Sequence, residues 1–283
     1  MKTCDLHTHT TASDGSDSPS KLVEKALEAG LSAIAVTDHD TTAGLSEAEM
    51  ASKRFGIEFV PGVELSVNFH KGNMHILGYL MDQEDERFRQ VLTRVQKARA
   101  ERNPKILALL ADLGLEISMD ELKEISKGGQ IGRPHIARAM VEKGYVRSVS
   151  DAFEKYLKRG AKAYAPKSIL SPKEAIQVIR GAKGVPVLAH PFSLLSETRE
   201  ELDETVASLT DEGLMGLECY YSEHDDAFTS LCISLAKKYG LVVTGGSDYH
   251  GKAKPYIKLG RGKGNLVIPY SCVESLRAAK SNA

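Results

Sequence analysis

Short apolar runs that stop at a histidine or an acid, separated by amphipathic helical stretches, recur along most of this 283-residue chain. "TCDLH" reads as a first strand, and His7 and His9 lie two positions apart, on one side of an extended chain. "SAIAVTDHD", "EFVPGVELSV", "NMHILGYL", "VPVLAHP", "LMGLECYY" and "LVVTGGSDYH" read as further strands. Helical patterns stand between most of them. The first, "SPSKLVEKALEAG", has Ser18 as N-cap, Pro19 at the first helical position and Gly30 at its close. Strands separated by single helices imply parallel βαβ units, so the expectation is an α/β fold built as a barrel.

From Glu84 to about Pro166 the rhythm changes. "DERFRQVLTRVQKARAERNPKILALLADLG" reads as a long helix that Pro104 bends or restarts, and three short helical patterns follow with no strand between them. The expected organisation is therefore a barrel formed by residues 1–86 and 167–283, interrupted by a helical insertion at 87–166. Charge marks the same boundary. The net charge is −1 overall, but the stretch from Arg87 to Lys167 holds 18 basic and 9 acidic residues. Such asymmetry points to an anionic ligand near the insertion.

Parallel α/β barrels gather their chemistry where the strands end. His7 and His9 follow the first strand and Asp14 sits in the loop beyond; "TDHD" with His39 closes the second and "PGVE" with Glu64 the third. His75 lies in the fourth, His190 closes the fifth, and Asp248 and His250 close the last. A buried imidazole needs partners for its ring nitrogens, and packing gains nothing from six of them at one end of a barrel. Nine potential ligands exceed what one ion uses, and Glu64 can bridge, so a cluster of two or three divalent ions is expected. Imidazole with carboxylate and no thiolate suits manganese, iron or zinc. Asp38 and Asp40, beside His39, are candidates for supporting the ligands or handling protons. His70 and His224 stay outside the set.

The ordered set of His7 and His9, Asp14, "TDHD", "PGVE", His75, "AHP" and "SDYH" resembles the PHP (polymerase and histidinol phosphatase) superfamily. The resemblance spans nearly the whole chain. It implies a distorted (β/α)7 TIM-like barrel, three divalent ions with Mn2+ first and Fe2+ or Zn2+ as alternatives, and hydrolysis of phosphoesters. Carried over, one ion would take His7, His9, Glu64 and Asp248, a second Glu64, His75 and His190, and a third Asp14, His39 and His250. Water activated by the ions would attack phosphorus, with no side chain as nucleophile. Amidohydrolases share the opening His-x-His and remain a distant alternative, as does a non-catalytic metal or nucleic-acid binding module.

The insertion narrows the substrate. Arg99 and Arg102 fall on one helix face, and Arg133 stands directly before a helix start, beside His135. Arginine forks match phosphate oxygens and a helix start adds amide donors. The insertion with "GRPH" inside resembles the PHP branch of stand-alone phosphoesterases acting on 3',5'-nucleoside bisphosphates and on short 5'-phosphorylated RNA. In that branch Arg99, Arg102 and Arg133 would contact substrate, with His135 as a further candidate. Histidinol-phosphate-type phosphatases are the runner-up, disfavoured because a basic insertion repels a cationic amine. The start "MKTCDLHTHT" carries no basic stretch followed by an apolar run, and no stretch reaches the ~18 apolar residues of a membrane span. Four scattered cysteines with no paired spacing fit reduced thiols, so a cytoplasmic protein without an obligate protein partner is expected.

Overall fold

The computed structural model describes residues 1–166, 170–264 and 266–281. Seven strands lie in sequence order across one sheet: β1 (Cys4–Asp5), β2 (Ala33–Val36), β3 (Glu58–Val67), β4 (Met74–Tyr79), β5 (Val185–Leu188), β6 (Gly216–Tyr221) and β7 (Val242–Gly246). The sheet rolls up, because Leu6 N donates to Gly245 O at 3.1 Å and Asp248 N to His7 O at 2.8 Å, joining its first strand to its last. The result is a distorted, nearly closed barrel.

Helices α1 (Pro19–Glu28), α2 (Leu45–Phe55), α7 (Pro172–Gly181), α8 (Arg199–Asp211) and α9 (Asp226–Tyr239) follow strands or precede them as the rhythm predicts. Ser18 caps α1 by accepting from Lys21 N, and Gly30 follows with φ +75°, where a side chain would be strained. A last helix, α10 (Ser271–Ser281), was not among the expected elements. Its Val273 and Leu276 plug the barrel interior against Leu6, Ala35, Leu77 and Val187.

One strand departs from the expected parallel arrangement. β4 is antiparallel to both β3 and β5, whereas β1–β2, β2–β3, β5–β6 and β6–β7 are parallel. Only residues 68–73 separate β3 from β4, too few for a parallel crossover but ample for a hairpin. The reversal decides where His75 goes. As the second residue of β4 it would sit at the wrong end of a parallel strand; in the antiparallel one it stands at the mouth with the other strand ends.

Between β4 and β5 the chain is helical: α3 (Glu86–Ala111), α4 (Met119–Ser126), α5 (Arg133–Glu142) and α6 (Val149–Ala152), the last running into a π-turn over 153–157. α3 continues through Pro104 as one helix, so of the two expected effects the restart does not occur. Its Phe88, Leu92 and Val95 pack into the core between sheet and helices, while Ile106 and Leu110 join a separate cluster with Leu122, Ile136 and Met140. One helix thus seats the segment on the barrel. The expected return point, residue 167, lies outside the described residues. No helix among them is long and apolar enough to cross a membrane, and all four cysteines are buried and unpaired.

Candidate metal centre

Strand alternation aims the central carboxylate. Val63 and Leu65 pack under the helices, so Glu64 between them faces the barrel interior, where it is 1% exposed. Its Oε2 lies 3.3 Å from His7 Nε2, 3.2 Å from His9 Nε2 and 3.0 Å from His39 Nδ1. Its Oε1 lies 2.7 Å from His75 Nδ1 and 2.9 Å from His190 Nε2. Asp248 Oδ1 stands 3.2 Å from His9 Nε2 and 3.7 Å from His7 Nε2. On the far side Asp14 faces His250 Nε2 at 3.3 Å and His39 Nε2 at 3.8 Å. The structure therefore brings all nine expected residues together at one barrel mouth. They form overlapping groups that could each hold an ion: His7, His9 and Asp248; His7, Glu64 and His190; His39, Glu64 and His75; and His9, Asp14, His39 and His250.

The donor set fits divalent ions. His7 Nδ1 is 3.0 Å from Glu218 Oε1 and His250 Nδ1 is 2.8 Å from the Asp248 carbonyl. An imidazole that donates through Nδ1 presents a bare lone pair at Nε2. For His7 that lone pair faces carboxylate oxygens, which also have only lone pairs to offer. Accordingly His7 Nε2, His9 Nε2, His39 Nδ1 and Glu64 Oε2 are buried without a hydrogen-bond partner. Converging lone pairs with no proton between them are what a cation satisfies. Burial pushes the Glu64 carboxyl up, but in the absence of a cation the surrounding His39, His75 and His7 rings, where protonated, outweigh it and hold the group well below the usual carboxylate range. Asp14 and Asp248 are likewise held low against the effect of burial, by His250 and His39 in one case and by Lys254 and His250 in the other.

Backbone strain accompanies the cluster. His190 (φ 26°), Asp248 (φ 58°) and Asp40 (φ 55°) hold left-handed conformations that cost a non-glycine residue energy. Each is tied down by its neighbours: His190 N donates to Glu218 Oε2 at 2.6 Å, Asp248 N to His7 O at 2.8 Å, and Ser66 N to Asp40 Oδ1 at 2.9 Å.

The two candidate supporting aspartates serve the loops. Asp38 accepts from Thr10 N (2.8 Å), Thr10 Oγ1 (2.6 Å) and Ser13 Oγ (2.5 Å), shaping the turn that carries Asp14. Asp40 accepts from Ser66 and from the Arg99 guanidinium. Arg99 thus has a protein partner, and it pins α3 to the barrel. Arg102 differs. It is 4% exposed, its Nε and Nη2 have no partner, and burial together with the charges of Arg99 and Arg133 pushes it down to about 9. Arg133 donates to Leu157 O at 3.0 Å and lies over the Phe153 ring. His135 accepts from Gly132 N at Nδ1, so in its neutral form Nε2 carries the proton.

Sequence reading missed Glu218. It is fully buried on β6, one oxygen on the His7 ring and the other on the His190 backbone. A lone acid within the apolar run "GLECYY", between Leu217 and Cys219 that pack outward, was the available signal. Tyr221 (3.0 Å) and Lys254 (2.7 Å) were also missed; both donate to Asp248 Oδ2, leaving Oδ1 toward the histidines.

Residues 5–170 match the family model of the PHP domain. The chain is 34% identical over 261 residues to the 5'-3' exoribonuclease Rnm of Escherichia coli, covering 91% of this chain and 88% of the relative. It is 31% identical over 252 residues to the 3',5'-nucleoside bisphosphate phosphatase of Chromobacterium violaceum, covering 88% of each. Among solved structures, a protein of Bifidobacterium adolescentis assigned as a metal-dependent phosphoesterase aligns with a TM-score of 0.87 at 33% identity, covering 98% of this chain and 96% of that one.

Proposed function

This chain belongs to the PHP domain family, and from that premise we propose that it is a metal-dependent phosphoesterase that releases the 3'-phosphate of 3',5'-nucleoside bisphosphates, or degrades short RNA from its 5' end. The nucleotide relatives support this reading. The observation that carries it is Arg102: a buried guanidinium whose Nε and Nη2 have no hydrogen-bond partner, held within reach of the charges of Arg99 and Arg133. Like charges gathered in a dry site are costly unless an anion joins them. A second phosphate on the substrate is such an anion.

His7, His9, Glu64 and Asp248 would hold one ion, Glu64, His75 and His190 a second, and Asp14, His39 and His250 a third, manganese first. When bound, such ions supply Lewis-acid polarisation of a phosphate and acidify water. The chain's own residues do the rest. Glu64, shared between sites, fixes their spacing. Glu218 orients His7; Tyr221 and Lys254 orient Asp248. Arg102 and Arg133 hold the second phosphate, which orients the scissile one in the mouth. His135, whose Nε2 bears a proton, donates toward a substrate oxygen. The helical segment at 87–166 acts as the substrate-binding cap.

The test compares wild type and Arg133→Ala on adenosine 3',5'-bisphosphate and on p-nitrophenyl phosphate, which has nothing for the arginines to hold. Losing a charged hydrogen bond costs about 1.5–3 kcal/mol, so kcat/KM for the bisphosphate falls roughly 10- to 150-fold and the activated ester changes far less. Equal losses on both substrates would place Arg133 in the fold or the metal centre and remove the support for a bisphosphate.

A further inference from the structure

A cavity of about 660 Å³ lies between the barrel rim and the helical segment, and none of the nine clustered residues lines it. Its walls come from the turn between His9 and Asp14, the loop after Asp40, α3 and residues 127–131. Asn103 and Gln130 line it, and three of their buried side-chain atoms have no hydrogen-bond partner: Asn103 Oδ1, Gln130 Oε1 and Gln130 Nε2. Asn103 is only 2% exposed, and its other amide atom is used, donating to Ile131 O at 3.0 Å. Pro104 adds an acceptor: without an N–H it cannot take the carbonyl of Ala100, which also lines the cavity.

These groups specify a ligand class. Among the described residues, Glu47 and Lys127 are the charged ones on the walls, and their signs cancel, so the cavity has no net charge to select an anion. Glu47 also occupies the first turn of α2, where it already satisfies the positive end of that helix. What remains is a set of neutral amide donors and acceptors between apolar surfaces of Pro19, Met119 and Ile131. A planar, uncharged nitrogen heterocycle has edges for the first and faces for the second. The cavity also runs along the helix that carries two of the arginines, with Gln96, Ala100 and Asn103 of α3 on its lining. Asn103 follows Arg102 on α3, and a Cβ on Gly132 would come within 3.0 Å of Arg99 Nη1. We propose that this cavity receives the base of the nucleotide substrate, with Asn103 and Gln130 as the residues that meet its edge. The proposal rests on the bisphosphate reading above. A primary amide presents a donor or an acceptor according to its rotation, so the site accepts different bases rather than selecting one.

The experiment uses the manganese-loaded full chain and two substrates: adenosine 3',5'-bisphosphate, and 1-deoxyribose 3,5-bisphosphate, which is the same sugar without the base. The readout is the ratio of their kcat/KM values. Wild type should favour the nucleotide at least about 10-fold, with the preference residing in KM. Gln130→Ala, and Gln130→Leu which keeps the volume, should each cut that ratio about 3- to 10-fold, the range for one or two neutral hydrogen bonds. Because the Gln130 amide bonds nothing in the protein, thermal unfolding of both variants should match wild type. Equal wild-type rates on the two substrates, or a ratio unmoved by both variants, would overturn the base site while leaving the phosphoesterase reading intact. Turnover of neither substrate would overturn that reading, and the base site with it.

Discussion

Glu64 presents two oxygens to five imidazole nitrogens, and Glu218 supports two of those histidines, His7 through its ring and His190 through its backbone. Its carboxylate accepts from the His7 ring and from the backbone of the strained residue His190 at once. An amide has a single acceptor oxygen, so Glu218→Gln must give up one of these bonds and turn an N–H against a donor. Removing groups that orient metal ligands typically weakens affinity 10- to 100-fold. The expected outcome is Mn2+ binding weakened by about that factor in calorimetric titration, with the rise in Tm on adding Mn2+ reduced relative to wild type. A variant that unfolds earlier without metal, yet gains the wild-type Tm increment with it, would make Glu218 structural only.

At the scale of elements, α3 carries two jobs along one helix. Its first half is anchored by apolar contacts and by the Arg99–Asp40 pair, while its second half forms the core of the helical segment and carries the buried Arg102 and Asn103. Arg99 was expected on the substrate, as the family resemblance implies for it and for Arg102. The structure pairs its guanidinium with a fully buried aspartate. Removing the guanidinium takes a charged hydrogen bond from an aspartate that keeps Ser66 N and Oγ as partners, at a cost of about 1.5–3 kcal/mol. Arg99→Ala should therefore lower Tm by roughly 3–9 °C in a thermal scan. An unchanged Tm with a raised KM would return Arg99 to the substrate. The β3–β4 hairpin makes the same point: helix and strand identities were readable, but the reversal that brings His75 to the mouth depends on the pairing of β4 with β3 and β5.

The whole molecule stores its functional charge at one end and closes the other with α10, so metal and fold should be coupled. An ion at 100 times its Kd stabilises the state that binds it by about 2.7 kcal/mol per site. Chelator treatment should lower Tm by several degrees and Mn2+ should restore it, with elemental analysis of the reloaded chain approaching three ions. Restoration at one ion per chain would reduce the cluster to a single site. The sequence by itself determined the seven strands, their helices and the nine residues at the mouth. Each of these has a local signature: an apolar run of strand length, a cap, a histidine or acid where the run stops. Tertiary structure alone decided the direction of β4, the burial of Arg99 on Asp40, the unpartnered amides of the cavity and the part played by Glu218. His7 and Glu218 are 211 residues apart in the chain, and Arg99 and Asp40 are 59 apart. A hydrogen bond across such a separation leaves no periodicity in either stretch, because nothing local requires it; only the closed barrel brings the two ends together.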